Sequence, residues 1–511
     1  MNPQICSLTG LLMSALLLCP DKLAARDFPN IVYILADDLG YGDVQCLNPE
    51  GKIATPHIDR LAAAGMIFTD AHSSASVCTP TRYGILTGRY NWRSRLKSGV
   101  LGGFSQRLIE PGRLTVPELL KKHGYETACL GKWHLGMDWP LKEGGFAKDY
   151  DEAWKVDYTR PIRNGPTALG FDYYFGISAS LDMPPYVFIE NDRTTGVPTV
   201  EKKWIRQGPA HADFEAIDVL PELTRRAVGF IDKQAAKSRA GEPFFLYVAL
   251  TAPHTPILPV PEWQGKSGLN DYADFVGQVD GTVGQVLQAL ERNSLKESTL
   301  VTFTSDNGCS PAAKFQELAA KGHHPSQRFR GHKADIFEGG HRVPFIVRWP
   351  GKIKPGSVSH QLICLTDFMA TCAGILGTKL PNDAAEDSVS FLPALLGKTK
   401  RPLRDAVVHH SINGSFSIRL GKWKLELCSD SGGWSAPKPG SPETQRLPSI
   451  QLYDLARDIG ETNNLLSKHP EVVKRLTKTL EKYVSDGRST PGSKQPNTGK
   501  VEIWKSNPRG K

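Results

Sequence analysis

The chain has 511 residues, of which 40% are hydrophobic and 23% are charged, and its formal net charge is +9. This composition is typical of a soluble globular protein and excludes disordered, fibrous and coiled-coil classes for the bulk of the chain. At about 150 residues per domain, the length predicts roughly three domains, or two if one is a large α/β unit. The excess of positive charge favours anionic partners.

The N-terminus carries the longest apolar run, residues 8–19. It is shorter than the ~20 residues of a membrane-spanning helix, so no stable membrane insertion is expected. The run is typical of a secretory signal peptide, predicted over residues 1–25. Because no Lys or Arg precedes it, a buried N-terminal helix is the alternative, and the bulky Leu18 before Cys19 disfavours a lipoprotein anchor. The chain is therefore expected to be secreted or periplasmic.

Apolar runs alternate with amphipathic segments along residues 26–396, which we interpret as the main domain. Strands are predicted at residues 30–36, 126–130, 244–250, 299–304 and 344–349. Helices are predicted at residues 57–64, 116–123, 220–236 and 272–293. This alternation predicts an α/β fold in which a largely parallel sheet is covered by helices on both faces.

The character of the sequence changes after residue 396, where a short polar and basic segment begins. Residues 415–427 have the pattern of a hairpin, and residues 470–484 carry one apolar helical stripe. These patterns predict a smaller α+β domain with an antiparallel sheet over residues 397–487. Residues 488–511 are basic and rich in Pro, Gly and Ser, which predicts a disordered tail.

Seven cysteines would remain after removal of the signal peptide: Cys46, Cys78, Cys129, Cys309, Cys364, Cys372 and Cys428. An odd number leaves one thiol unpaired, which in a secreted protein indicates a reactive or specially used cysteine. No Cys-x-x-Cys pair is present, so zinc-ribbon and thioredoxin-like motifs are excluded. The surroundings of Cys78 make it the candidate, and the other six either form disulfides or are buried thiols.

Three predicted strands end in residues that carry chemistry. Residues 30–36 run into Asp37 and Asp38, residues 299–304 into Asp306 and Asn307, and residues 244–250 into the loop of His254. Ligands bind at the carboxyl ends of strands in open α/β sheets, so these side chains are expected to meet. Their hard oxygen ligands suit Ca²⁺ or Mg²⁺, which would offset the repulsion between adjacent carboxylates. For each cluster alone, a turn or a helix cap is the alternative.

The segment SSASVCTPTRYGILTGR, residues 73–89, carries the most specific signal. Its Cys-x-Pro-x-Arg core, Cys78 to Arg82, followed by Leu-Thr-Gly-Arg at residues 86–89, resembles the type I sulfatase family. In that family the motif cysteine is oxidised to Cα-formylglycine during maturation. Three further blocks are similar to the family's: GKWHLG at residues 131–136, PHTP at residues 253–256, and GHK through EGG at residues 331–340.

The resemblance implies an alkaline-phosphatase-like fold, in which a large mixed sheet is flanked by helices. It also implies a calcium site, with magnesium as the alternative. The implied ligands are Asp37, Asp38, Asp306, Asn307 and the formylglycine at position 78.

The resemblance further implies a reaction sequence. Hydrated formylglycine at position 78 attacks sulfur with one hydroxyl, and His254 with Lys333 assists departure of the alcohol. His134 then takes the proton of the second hydroxyl, so that sulfate leaves and the aldehyde is restored. Arg82 orients the formylglycine. For each of these residues alone, a structural role is the alternative.

Substrate contacts are expected from Ser180, Lys132, His254 and Lys333, with Lys132 also supporting His134. The resemblance is strongest to arylsulfatase A-like and N-acetylgalactosamine-6-sulfatase-like members, so we expect exo-desulfation of a sulfated carbohydrate, and a formylglycine-generating maturase as a second partner. Aromatic residues between positions 158 and 204 either form a wall for sugar rings or belong to the core. No nucleic acid is expected, because the basic tail has a single aromatic residue. Two alternatives remain: a phosphate or phosphonate ester hydrolase of the same superfamily, and a non-catalytic glycan-binding relative.

Overall fold

The structure is a computed structural model, and it describes residues 28–504. The predicted signal peptide and residues 505–511 lie outside the described residues. Between residues 28 and 504, no helix has both the length and the apolar character needed to cross a bilayer.

The described residues form eighteen strands and ten α-helices. The strands are β1 Asn30–Asp37, β2 Met66–Phe68, β3 Ala71–His72, β4 Glu126–Lys132, β5 Tyr173–Ile177, β6 Ile189–Glu190, β7 Arg193–Thr194, β8 Val200–Lys203, β9 Gln207–Ala210, β10 Phe244–Pro253, β11 Thr299–Ser305, β12 Phe345–Arg348, β13 Ser357–Ser359, β14 Ile363–Cys364, β15 Ala406–His410, β16 Phe416–Leu420, β17 Trp423–Glu426 and β18 Gln451–Asp454. The helices are α1 Pro56–Ala63, α2 Cys78–Thr87, α3 Val116–Lys121, α4 Val219–Arg239, α5 Asp271–Arg292, α6 Phe315–Ala320, α7 Glu338–His341, α8 Phe368–Leu376, α9 Leu392–Leu395 and α10 Pro470–Asp486.

A ten-stranded mixed sheet organises the main domain, in the order β13-β2-β12-β11-β1-β10-β4-β5-β6-β7. The five strands from β11 to β5 are parallel, whereas β12, β6 and β7 pair antiparallel with their neighbours on the β11 and β5 sides. Each of the five predicted strands is present. The last of them, β12, runs antiparallel to β11 and makes the sheet mixed.

Both faces of the sheet are buried, which explains why the central strands are continuous apolar runs. Alternate residues of β1 point to opposite faces: Ile31, Tyr33 and Leu35 contact the layer of α2, α3 and α8. Val32 and Ile34 contact the layer of α1, α4 and α5. Because β1, β4, β10 and β11 are parallel, their carboxyl ends lie at the same end of the sheet. The polar residues predicted from the sequence follow these strands there.

The C-terminal part forms a four-stranded antiparallel sheet, β15-β16-β17-β18, with α10 packed on it. Leu476 and Leu480 of α10 are fully buried, as the apolar stripe predicts. The same hydrophobic cluster contains Tyr90 and Trp92 of the main domain, so the two sheets share buried contacts.

The prediction of a disordered tail is wrong for residues 488–504, which lie against the main domain. Arg93 donates to the Asn497 side chain at 3.0 Å, and Arg89 donates to the Pro496 carbonyl at 2.7 Å. Ile503 is only 7% exposed. Composition did not predict the ordered conformation of residues 488–504. Buried arginines elsewhere in the chain have their hydrogen-bond acceptors in this segment, and composition carries no information on such long-range partners.

A buried histidine cluster lies between the main domain and the C-terminal sheet. His72 of β3 and His341 of α7 lie with their Nδ1 atoms 3.0 Å apart, and the ring of His409 of β15 stacks on His341 at 3.7 Å. Ring nitrogens of the three histidines all lie within 4.8 Å of one another, so the cluster is compact. Burial lowers the pKa of all three histidines, to about 4 for His72.

This cluster predicts that stability falls in mild acid. The unfolded histidines have a pKa near 6.5 and the folded ones a lower value, so below pH ~6.5 the unfolded chain binds more protons and stability is lost. His72 alone would account for about 3 kcal/mol between pH 6.5 and 4. Urea unfolding from pH 8 to 5 measures the slope. His409→Gln is expected to make it shallower, whereas His360→Gln, at an exposed position, serves as control. An unchanged slope in His409→Gln would contradict the assignment.

Candidate active site

Asp37 and Asp38 end strand β1 and are buried. Asp38 has a φ of 67°, a left-handed conformation that is rare for a non-glycine residue and common at functional sites. Its backbone N–H donates to Asp306 Oδ1 at 3.3 Å. The turn thereby joins the end of β1 to the loop that follows β11.

Asp306 and Asn307 follow strand β11 and are fully buried. Asn307 Nδ2 donates to Asp38 Oδ1 at 2.8 Å. Gly308 allows this loop to close, because a Cβ there would lie 1.8 Å from the Gly339 carbonyl oxygen. The residues predicted at the ends of two separate strands, Asp37 with Asp38 and Asp306 with Asn307, therefore share one site.

Cys78 and Arg82 lie on helix α2, all ten residues of which are buried. Cys78 is the first helical residue, where the helix dipole favours negative charge, and Arg82 lies one turn further on. The Arg82 guanidinium donates to Asp306 Oδ2 at 2.9 Å and to the Lys132 carbonyl at 2.8 Å. Burial raises the pKa of the Cys78 thiol, which is therefore uncharged at neutral pH.

Lys132 is the last residue of β4 and is fully buried. Its Nζ lies 2.7 Å from Asp37 Oδ2 and 3.1 Å from Ser180 Oγ. Burial lowers the pKa of Lys132, but the Asp37 carboxylate more than compensates, so the net pKa is raised. Lys132 therefore keeps its proton at neutral pH.

His254 and Lys333 meet on the opposite carboxylate. Lys333 Nζ donates to Asp38 Oδ2 at 2.7 Å, and His254 Nε2 lies 3.5 Å from the same oxygen. Ser180 Oγ is 3.3 Å from the His254 ring nitrogens. Burial, followed by the charge of Lys333, lowers the pKa of His254, whereas burial of Lys333 is outweighed by Asp38 and its pKa is raised.

His134 follows β4 with a φ of 57°, the second left-handed non-glycine residue of the site. Its Nε2 lies 2.7 Å from the Leu101 carbonyl, while its buried Nδ1 has no hydrogen-bond partner. The carbonyl can only accept, so Nε2 carries the hydrogen and Nδ1 the lone pair. Burial, followed by the charge of Lys132, holds the pKa of His134 well below its usual value.

The oxygen atoms of the site fit a divalent cation. Asp37 Oδ1 and Asn307 Oδ1 are buried and have no hydrogen-bond partner. Ligand atoms of Asp37, Cys78 and Asp306 lie within 4.8 Å of one another. Burial, followed by the Asp37 charge, raises the pKa of Asp306 to about 7, so a cation bound beside it would favour its charged form. Carboxylate and amide oxygens of this kind are typical ligands of Ca²⁺ and Mg²⁺.

Comparison with known proteins identifies the family. The sulfatase family model matches residues 29–378, a range that includes every residue of the site. The chain belongs to the sulfatase family. The resemblance found in the sequence is thereby confirmed, and its relatives make this sulfatase a sulfuric ester hydrolase.

Two curated relatives and one solved structure illustrate the likeness. N-acetylgalactosamine-6-O-sulfatase of Bacteroides thetaiotaomicron is 36% identical over 500 residues, covering 89% of this chain and 92% of the relative. Human arylsulfatase A is 33% identical over 490 residues, covering 91% and 89%. A structure from work on the metabolism of multiple glycosaminoglycans by Bacteroides thetaiotaomicron has a TM-score of 0.78 at 35% identity, covering 89% of this chain and 99% of that one. The alkaline-phosphatase-like fold of this sulfatase is likewise confirmed.

The residues named from the sequence all lie in this site, including Ser180. Two further buried histidines have structural partners: His323 contacts Asp43 at 2.9 Å, and His341 belongs to the buried cluster. The seven cysteines between residues 28 and 504 are all free thiols. Among the aromatic residues, Tyr186 is buried against Trp204 and Phe214, which places these rings with the core.

Two contributors escaped the sequence reasoning because they are backbone carbonyls. Leu101 fixes the tautomer of His134, and Thr255 accepts from His254 Nδ1 at 2.6 Å. Every residue has a carbonyl, so no side-chain pattern marks these two.

Proposed function

We propose that this sulfatase removes a terminal sulfate group from a sulfated carbohydrate, using a formylglycine made from Cys78 and a bound calcium ion. The proposal rests on one observation: Arg82, Lys132 and Lys333, three buried cations, surround the carboxylates beside Cys78. A relative that is called an N-acetylgalactosamine-6-O-sulfatase supports the carbohydrate assignment. Export by residues 1–25 and a maturase that oxidises Cys78 are part of the proposal.

The hydrated aldehyde would supply the hydroxyl nucleophile that the thiol of position 78 lacks. The three cations would hold the negative oxygens of the sulfate group, whose charge otherwise repels a nucleophile. Their side chains are fixed by carboxylates before substrate arrives, so little reorganisation accompanies the reaction. The raised pKa values of Lys132 and Lys333 keep both charged at neutral pH.

Lys333 and His254 are placed to protonate the departing alcohol. Both approach Oδ2 of Asp38, so the two side chains lie close to the same position in the site. The pKa of Lys333 is raised and that of His254 is lowered, so the proton resides on Lys333 Nζ. It would reach the leaving oxygen directly or through His254 Nε2.

His134 is placed as the base of the second half-reaction. Its free Nδ1 lone pair and its lowered pKa keep it neutral and able to accept a proton at neutral pH. It would take the proton from the remaining hydroxyl of residue 78 as sulfate leaves. The positive charge of Lys132 would disfavour protonation of His134 before sulfate leaves.

Asp37, Asp38, Asp306 and Asn307 would hold the calcium ion together with residue 78. Bound there, the cation supplies positive charge that lowers the pKa of a hydroxyl beside it. The close spacing of the acidic ligand atoms and the unpartnered oxygens of Asp37 and Asn307 favour a cation at this place.

The experiment that tests the proposal compares p-nitrophenyl sulfate with p-nitrophenyl phosphate. We expect clear preference for the sulfate ester, and a large preference for phosphate would overturn the proposal in favour of the phosphohydrolase alternative. Intact-mass analysis of the peptide containing Cys78 tests maturation, since conversion of CH₂SH to CHO changes the mass by a defined amount. An unconverted thiol in an inactive protein would favour the glycan-binding alternative. A panel of defined sulfated mono- and disaccharides then identifies the sugar.

Calcium is expected to stabilise the protein. Calcium at about 100 times its Kd would raise the free energy of unfolding by about 2.7 kcal/mol, because it binds the folded state only. Thermal unfolding of chelator-treated protein, titrated with Ca²⁺ or Mg²⁺, measures the effect and separates the two ions. Asp306→Ala is expected to lose it, whereas Asp232→Ala, at an exposed position on α4, retains it. No shift with either ion would contradict the site.

A further inference from the structure

Arg348, the last residue of β12, is a buried cation that forms no ion pair with any residue between positions 28 and 504, although Glu297 and Glu291 act on it at longer range. It is 5% exposed, and its Nε and Nη2 atoms are buried with no hydrogen-bond acceptor. Other buried arginines of the main domain differ, since Arg93 pairs with Asp387 at 2.8 Å and Arg342 with Glu338 at 2.6 Å. A buried guanidinium without an ion pair is costly, so an anion bound close to it would be stabilising.

Arg348 lines an open pocket of about 500 Å³. Its wall also contains the turn of Pro350 and Gly351 and four charged side chains: Lys296, Lys352, Lys354 and Glu297. A smaller cavity of about 100 Å³ adjoins the other side of Arg348 and is lined by Arg60 and Glu291. Arg348 therefore lies in the wall of a space large enough for one sugar ring or one oxyanion, while its Nε and Nη2 atoms are buried behind that wall.

The charge around the pocket is strongly positive. Five cationic side chains line the two spaces, against two acidic ones, Glu291 and Glu297. Glu291 pairs with Lys296 at 3.4 Å, and Glu297 is exposed. Neither carboxylate forms an ion pair with Arg348, so the surplus of positive charge is available to an anion.

The pocket lies far from the catalytic residues. Arg348 pairs with Val301 near the start of β11, whereas Asp306 follows the end of that strand. Five residues of β-strand separate the two positions by about 15 Å. The pocket is therefore a second site at the opposite edge of the sheet.

We propose that Arg348 and the lysines beside it bind a sulfate or carboxylate group of the sulfated polysaccharide on which this sulfatase acts. The inference rests on the proposed function. The positive charge of Arg348, which lacks an ion pair, attracts such a group into the pocket. The lysines at the rim attract the neighbouring anionic groups of the same chain. A second point of attachment raises the effective concentration of chain ends near the catalytic site.

Binding is measured without turnover in the Cys78→Ala protein, by fluorescence anisotropy of a labelled chondroitin 6-sulfate oligosaccharide. The double variant Lys352→Gln, Lys354→Gln changes only exposed side chains, so folding is not at stake. We expect it to weaken binding at least about fivefold, and Arg348→Gln to weaken it further. Lys474→Gln, Lys478→Gln, which removes two exposed charges from α10, is expected to have no effect. Equal weakening by both double variants would overturn the site.

A second arm separates a polymer-borne group from free sulfate. Calorimetric titration of Cys78→Ala with inorganic sulfate, with and without Arg348→Gln, reports any site for the free ion. Loss of sulfate binding in Arg348→Gln with unchanged oligosaccharide binding would overturn the polymer assignment. In the Cys78 protein, the Lys352 and Lys354 changes are expected to leave hydrolysis of p-nitrophenyl sulfate unchanged. Failure of the proposed function would appear instead as no hydrolysis by the unmodified protein.

Discussion

Replacing Cys78 with alanine is expected to abolish sulfate ester hydrolysis, lowering kcat/KM by at least about 10⁴-fold. The reason is that residue 78 supplies the proposed nucleophile, at the start of α2 and beside Asp37 and Asp306. Arg82, Lys132 and Lys333 would remain in place, so any residual rate measures what the charged site achieves without a nucleophile. Steady-state hydrolysis of p-nitrophenyl sulfate provides the measurement.

Cys46→Ala is the matched control, since it removes a half-buried thiol outside the site. We expect it to retain full activity. The folded state of both variants is checked by thermal unfolding. Full turnover by a folded Cys78→Ala protein would refute the proposed nucleophile.

Replacing Lys333 with methionine is expected to lower kcat by roughly 10² to 10³-fold, the usual cost of one charged donor in a preorganised site. The change removes the cation that pairs with Asp38 at 2.7 Å and leaves that carboxylate unbalanced. Lys333 is also the proposed proton donor. The loss should therefore be larger for sugar sulfates, whose alcohols leave poorly, than for p-nitrophenyl sulfate, whose phenolate leaves without a proton.

This dependence on the leaving group separates the two roles of Lys333. Equal losses on both substrates would assign it to charge stabilisation alone and contradict the proton transfer. Lys314→Met, an exposed position nearby, is the control and is expected to leave both rates unchanged. A Lys333→Met protein that unfolds at the same temperature as the parent excludes a folding defect.

The sequence predicted the main-domain strands well because their signal is strong. A strand buried on both faces, such as β1, must be apolar throughout, and its first polar residues, Asp37 and Asp38, mark its end. Short strands at one side of the sheet gave no comparable signal. β2 and β13 have three residues each and are defined by their neighbours rather than by their own composition.

Helix α2 was missed for a related reason. Residues 78–87 are buried on every side, so they lack the one-sided apolar stripe that identifies a surface helix. The residues of the candidate site could be named from the sequence because motif residues are specific in kind and order. The ion pairs within the site could not be predicted, since the pairing of Lys132 with Asp37 and of Lys333 with Asp38 depends on three-dimensional placement.

The burial of residue 78 bears on whether its proposed oxidation would come before or after folding. Its side chain is 2% exposed at the start of a helix enclosed by the rest of the domain. The sulfur atom is therefore enclosed in the folded chain. The proposed oxidation by a second protein would have to precede folding, and a batch that folded unoxidised would have to be unfolded before it could be converted.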